Sequence, residues 1–164
     1  MKQKDYFLLA LCLIIAQLAG LIGSVFNFTS LGPWYDALEK SPLNPPNWVF
    51  GPVWTFLFLL MGISLFLIIR NGHKKFIGHS RYLYPALIAF AIQWLLNTGW
   101  SFLFFYLRSP FSAFIEIIAL TIAIMVTIFY FYKIKKAAGY LLLPYLAWVI
   151  FASYLNLSFW LLNS

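Results

Sequence analysis

Five apolar runs dominate the chain, each long enough to cross a hydrocarbon core that needs about 20 helical residues. They fall at 6–26, 48–69, 82–107, 110–132 and 139–162. A membrane β-barrel would show segments of about 10 residues alternating apolar and polar, whereas these runs are about twice that length and apolar on every face. The pattern predicts an all-α integral membrane protein: one domain over 1–164, a five-transmembrane-helix bundle. Its one long loop, about 27–47, joins the first two helices.

Composition and charge sharpen this picture. Of 164 residues, 63% are hydrophobic and 9% charged, too little polar surface to cover a soluble globule. A net charge of +7 suggests nucleic acid at first, but the charges are placed as topology signals. Lys2 and Lys4 precede the first run; Arg70, Lys74, Lys75 and Arg81 join the second and third; Lys133, Lys135 and Lys136 join the fourth and fifth. Only Lys40 and Arg108 lie on the other side, so the positive-inside rule places the N-terminus in the cytoplasm and the C-terminus and long loop outside. No nucleic-acid partner is expected; the bilayer is.

The basic start raises a cleaved signal peptide, but its apolar run is too long and no small-x-small site follows, so it reads as a retained span. The single cysteine, Cys12, allows no intrachain disulfide and reads as a buried thiol. His73 and His79 lack a third ligand nearby and read as a solvated turn rather than a metal site.

The long loop is unlike the rest. Pro33 can start a short helix through 37–39, after which Pro42, Pro45 and Pro46 forbid regular structure and stiffen the chain. Trp34, Tyr35 and Trp48 suit either an interfacial aromatic belt or a rigid lid. Within the spans, Gly20, Gly23 and Ser24 give the first helix a small packing face, and Trp54, Phe58 and Met61 share a face of the second.

Gln93, Asn97, Trp100 and Ser101 make a polar stripe on the third helix, explained either by interhelical hydrogen bonds or by a polar cavity. Ser109 and Pro110 read as N-cap and first residue of the fourth helix, whose Glu116 is the one acid inside any span. An ionisable group at that depth is a functional candidate, with a structural hydrogen bond as the plain alternative. Ala113, Glu116, Ala119 and Ala123 form a stripe for close packing, within the chain or between two copies. Pro144 predicts a kink in the fifth helix, followed by Trp148, Ala152 and Leu155 on one face. Counted from the tight turn at 108–109, Ser101 and Glu116 lie at one depth, about 11 Å in. Trp54 and Leu155 fall near that depth too, which points to an aromatic pocket with few polar anchors beneath the loop. No nucleophile–base pair, metal cluster or nucleotide motif supports ordinary catalysis.

The segments WYDALEKSPLNPPNW from Trp34 with VW at 53–54, NTGWSFLFF from Asn97 and LPYLAWVIFASYLN from Leu143 resemble the translocator protein family, also called tryptophan-rich sensory or peripheral benzodiazepine receptor-like proteins. The resemblance covers nearly the whole chain. It implies a five-helix fold, often dimeric, that needs no cofactor and binds protoporphyrin IX, haem, sterols and benzodiazepine-like or isoquinoline carboxamide ligands under the first loop. By motif it implies ligand-binding roles for Tyr35, Pro46, Trp54, Phe58, Gln93, Asn97, Trp100, Ser101, Ala152 and Leu155. Glu116, which joins this candidate set, stands where the family commonly has Asp. Gln93 replaces an Asn of some relatives, and nothing basic follows Tyr154 as a sterol-recognition pattern requires. The family also implies light-dependent porphyrin degradation as an alternative to a receptor or carrier, for which Leu157 replaces an implicated aromatic; the small faces of the first and fourth helices leave open a regulatory or structural role in a membrane assembly.

Overall fold

The structure, a computed structural model, describes residues 3–28, 32–72 and 80–164. The expected turn with His73, Lys74, Lys75 and His79 lies outside these residues, as do Lys2 and the 29–31 part of the long loop. The described chain forms α1 (Gln3–Phe28), a short α2 (Pro33–Ala37), α3 (Asn47–Gly72), α4 (Ser80–Ser101), α5 (Pro110–Ile134), α6 (Lys136–Leu141) and α7 (Leu143–Leu162). Five spans are long and apolar enough to cross a membrane: α1, α3, α4 with its extension, α5, and α6 with α7. The expected all-α, five-span bundle is therefore the observed one, with helices extended by a few residues at several ends.

The spans close into a ring in the order α1, α3, α6/α7, α5, α4, with α4 back against α1. Large apolar side chains such as Ile14, Leu21, Phe56, Leu95, Ile115 and Ile150 point outward. A soluble protein would leave that surface in water; here it matches lipid tails. Inside, one cluster built around Met61, Leu65, Phe90, Ile124, Phe131 and Val149 fills the end of the bundle away from the long loop. Close approach sets this end: a Cβ on Gly62 would stand 2.9 Å from the Leu13 Cα, so α1 and α3 touch backbone to backbone there. Phe90 stacks on Phe131 between α4 and α5, and Arg70 pairs with Asp5 at 3.4 Å.

Three local details differ from the sequence expectation. First, α4 does not run on as an α-helix but passes at 102–106 into one π-helical turn, in which the Leu107 amide donates to the Phe102 carbonyl five residues back. The wider turn brings Phe104 and Phe105 inward together. Second, Pro110 does begin α5, but the Ser109 hydroxyl bonds Ser112 Oγ at 2.9 Å rather than capping a backbone amide. Third, the last span breaks at Leu142, two residues before Pro144, which sits in the first turn of α7. Pro144 has no N–H to give the preceding turn, so the chain tightens there and the Leu142 amide turns to the Gly139 carbonyl. The Ala138 carbonyl instead accepts the Ser64 hydroxyl at 2.7 Å. The break lets α6 lie against α3 while α7 follows α5, so α3 and α7 stand apart toward the loop.

Candidate functional site

That separation leaves a cavity of about 410 Å³ beneath the long loop, within the range of small-molecule sites. Its walls come from α1, α3, the end of α4, α5 and α7, and its roof from Tyr35. Every lining side chain among the described residues is neutral, and aromatic rings dominate: Phe50, Trp54 and Phe58 on one side, Trp100, Phe104 and Phe105 on another, Trp148 and Phe159 from α7.

These rings are held in place by one another and by a few polar bonds. Trp54 stacks on Phe58 at 5.4 Å and meets Tyr145 edge-on, and Trp100 stacks on Phe104 at 5.0 Å. The Trp100 indole N–H donates to Asn156 Oδ1 at 2.8 Å, and the Asn156 amide donates to the Pro110 carbonyl at 2.7 Å, joining α4, α7 and α5. Deeper, the Asn97 amide donates to the Tyr145 hydroxyl at 2.9 Å. Such bonds are electrostatically stronger in a low-dielectric interior than in water, and so fix the rotamers of the groups they join.

The roof is a stiff plug. Tyr35 is 5% exposed and packs between Phe105 and Phe159, while Trp34 meets Phe104 edge-on. Burial raises the Tyr35 hydroxyl above its ordinary pKa, so it remains protonated. The loop is fastened to α7: the Glu39 amide donates to Asn163 Oδ1, the Asn163 amide returns a bond to the Glu39 carbonyl, and Ser41 Oγ lies 3.1 Å from the Tyr154 hydroxyl. The loop aromatics fall into two settings. Trp48 is 74% exposed at the outer surface, whereas Tyr35 and Trp34 face the bundle.

Of the residues singled out from sequence, Tyr35, Trp54, Phe58, Asn97, Trp100, Ser101, Ala152 and Leu155 line the cavity together. Pro46, Gln93 and Glu116 do not. Pro46 is exposed at the start of α3, and Gln93 is fully buried below, its amide directed at the Met61 sulfur at 3.6 Å. Glu116 faces α4, with Oε1 4.0 Å from where a Cβ on Gly99 would stand, while Ser101 turns toward Gly23 of α1. The two share a level but not a face of α4. Neither Glu116 oxygen has a hydrogen-bond partner among the described residues.

Sequence reasoning missed the α1 wall. Gln17, Gly20, Ser24 and Asn27 line the cavity, and their spacing of i, i+3, i+7 and i+10 is a helical stripe that could have revealed them. Gly20 is needed for closeness, since a Cβ there would lie 2.6 Å from the Phe58 ring. Among the described residues, the buried Asn27 Oδ1 and Trp148 Nε1 of the lining have no hydrogen-bond partner.

Comparison with known proteins agrees with this architecture along almost its entire length. The profile of the TspO/MBR family matches residues 10–161. The tryptophan-rich protein TspO of Chlorobaculum tepidum is 41% identical over 161 residues, covering 98% of this chain and 99% of the relative. That of Archaeoglobus fulgidus is 46% identical over 152 residues, covering 92% and 94%. The translocator protein of Bos taurus is 31% identical over 147 residues, covering 90% and 85%.

Proposed function

The chain belongs to the TspO/MBR family, and from that premise we propose that it is a membrane receptor or carrier that binds tetrapyrroles, protoporphyrin IX or haem, in the cavity under the loop. Benzodiazepine-like and isoquinoline carboxamide compounds would use the same space. The observation that carries this reading is the cavity wall, a neutral chamber of stacked indole and phenyl rings with a few amide groups. A flat, apolar, polarisable ring system gains dispersion and stacking on such walls and loses little hydration on entering. With no charged side chain among the described residues of the wall, the acid groups of a tetrapyrrole would emerge at the loop. There Lys40 stands over the Tyr35 ring at 4.3 Å and Arg108 over Trp34 at 6.0 Å. The N-terminus is assigned to the cytoplasm on the distribution of basic residues, and the chain is taken to form a homodimer.

Titration with protoporphyrin IX in detergent or nanodiscs tests this. Saturable quenching of tryptophan fluorescence is expected, with weaker binding in Trp54→Ala. Quenching that never saturates, or that the substitution leaves unaltered, refutes the assignment.

One observation favours a second reading, light-dependent degradation of the bound porphyrin: three indoles, Trp54, Trp100 and Trp148, line the cavity as potential electron donors. Illumination should then consume bound protoporphyrin faster than free pigment and give distinct products. Identical bleaching in both cases rejects this chemistry.

A further inference from the structure

The route into the cavity is written in its walls. Toward the loop the chamber is plugged by Tyr35 and fastened to α7 through Glu39, Ser41, Tyr154 and Asn163. Toward α5 and α7 it is closed by the Trp100–Asn156–Pro110 chain of hydrogen bonds. The side between α1 and α3 is different. Leu21, Gly51 and Thr55 line the cavity and are at the same time exposed on the outside of the bundle, Leu21 by 62%. A wall whose residues face both the interior and the surroundings is a mouth.

Packing explains why the mouth lies here. At Gly62, α1 and α3 meet backbone to backbone, but at Gly51 a Cβ would find nothing within 4 Å. The two helices converge away from the loop and leave space toward it, where Gly51 puts no side chain in the gap. Among the described residues one side-chain hydrogen bond crosses it, from the Gln17 amide to the Thr55 carbonyl at 3.1 Å, with the Thr55 hydroxyl turned back to the Gly51 carbonyl. The bond marks the inner edge of the opening, and its donor is a flexible side chain. The surface around it is apolar and belongs to two membrane spans, so the medium at the mouth is lipid.

We propose that the gap between α1 and α3, framed by Gln17, Leu21, Ser24, Gly51 and Thr55, is a lateral portal through which flat lipophilic ligands pass between the bilayer and the cavity, with the loop remaining closed. This rests on the reading of the cavity as a site for lipophilic ligands. It adds that the partner presented at the portal is the lipid phase rather than water. A ligand concentrated in the bilayer reaches the aromatic walls without its apolar rings crossing an aqueous layer, and only the Gln17 side chain needs to move aside.

The first test needs no ligand. With Cys12 replaced by Ala, the Ala152→Cys variant places a thiol on the cavity wall. In proteoliposomes, pyrene maleimide dissolved in the lipid is expected to label it at least about tenfold faster than a charged methanethiosulfonate supplied to both aqueous sides, relative to each reagent's rate on an unfolded control. Adding Gly51→Leu, a position with free space around it, should slow the lipid-borne reagent by about tenfold and leave the charged one unchanged. Loosening the loop with Ser41→Ala and Asn163→Ala should alter neither. Faster labelling by the charged reagent, acceleration by the loop variants, or indifference to Gly51→Leu would overturn the portal. A parallel experiment follows protoporphyrin IX uptake from donor vesicles, where Gly51→Leu should slow both entry and release. Absence of porphyrin binding to the unaltered protein would refute the tetrapyrrole reading alone, because the labelling result decides the portal independently.

Discussion

Three glycines show how a single missing side chain has different consequences at different depths. At Gly62 an added Cβ meets the Leu13 Cα at 2.9 Å and the Cys12 carbonyl at 3.0 Å, main-chain atoms that cannot turn away. Gly62→Ala is therefore expected to lower stability by about 1–3 kcal/mol, as overpacking of a tight interface does, read as a lower melting temperature in detergent. At Gly20 the obstacle is the Phe58 ring, which borders open space and can swing into it. Gly20→Ala should cost less than Gly62→Ala while weakening protoporphyrin affinity, because the displaced ring occupies the cavity. If Gly62→Ala proves the milder of the two, the backbone contact is not what holds α1 to α3. The polar pair Trp100–Asn156 gives a further residue-level expectation. Trp100→Phe keeps the stacking surface toward Phe104 but leaves Asn156 Oδ1 unpaired, and should cost about 1–3 kcal/mol in the same melting assay. An unchanged melting temperature would mean that this bond contributes nothing to the bundle. Residues of this kind were partly legible in the sequence. Asn97, Trp100 and Ser101 stood out as polar groups in an apolar helix, but whether they served a cavity or a neighbour was not, and the structure shows both: all three line the cavity, while Asn97 and Trp100 also bond side chains of the last span.

Among the elements, the divided last span matters most. Hydropathy alone reveals one long apolar stretch, and Pro144 announces a disturbance but not its position. The break comes at Leu142 because Pro144 has no N–H to give the preceding turn, which tightens instead, and because Ser64 of α3 supplies a donor to the Ala138 carbonyl. That partner is remote in sequence, so no local pattern could show it. Ser64→Ala would leave this carbonyl without its cross-helix donor in an apolar setting. The expected loss is about 1–2 kcal/mol, with hydrogen exchange increasing in α6 before the rest of the bundle. Exchange unchanged in α6 would show that the proline alone makes the break. The π-turn at 102–106 was equally hidden, since its residues, Phe102 to Tyr106, read as ordinary apolar helix. The loop, by contrast, was conspicuous for its prolines, and what the sequence did not disclose was its fastening to Asn163 near the chain's end. Asn163→Ala is expected to increase protease cleavage within 38–44 without a large change in melting temperature. Unaltered cleavage would mean that the aromatic plug alone keeps the loop closed.

For the whole molecule, the ring of helices is solid at one end and hollow at the other. Span positions and their number could be counted from the sequence, but ring order depends on packing between distant segments, which five equally apolar stretches do not specify. The α1 wall of the cavity went unrecognised for the same reason: Gly20, Gly23 and Ser24 look alike whether they face a helix or a ligand. A hollow end predicts that occupancy contributes directly to stability. At a free ligand concentration about 100 times the dissociation constant, the gain should be about 2.7 kcal/mol, seen as a melting temperature that climbs with protoporphyrin concentration. A melting temperature that stays constant at saturating ligand would place binding outside the bundle. The contact at Gly62 also gives the hollow end a mechanical scale. From that pinned point to Gly51 is about 16 Å of helix at about 1.5 Å per residue. Rotation of α3 about the pin is therefore magnified at the mouth, each degree moving the far end of the lever by about 0.3 Å. A tilt of about 5° widens the gap by roughly 1.4 Å, a carbon–carbon bond length, so modest changes in the thickness of the surrounding bilayer, which helices accommodate by tilting, are transmitted to the aperture.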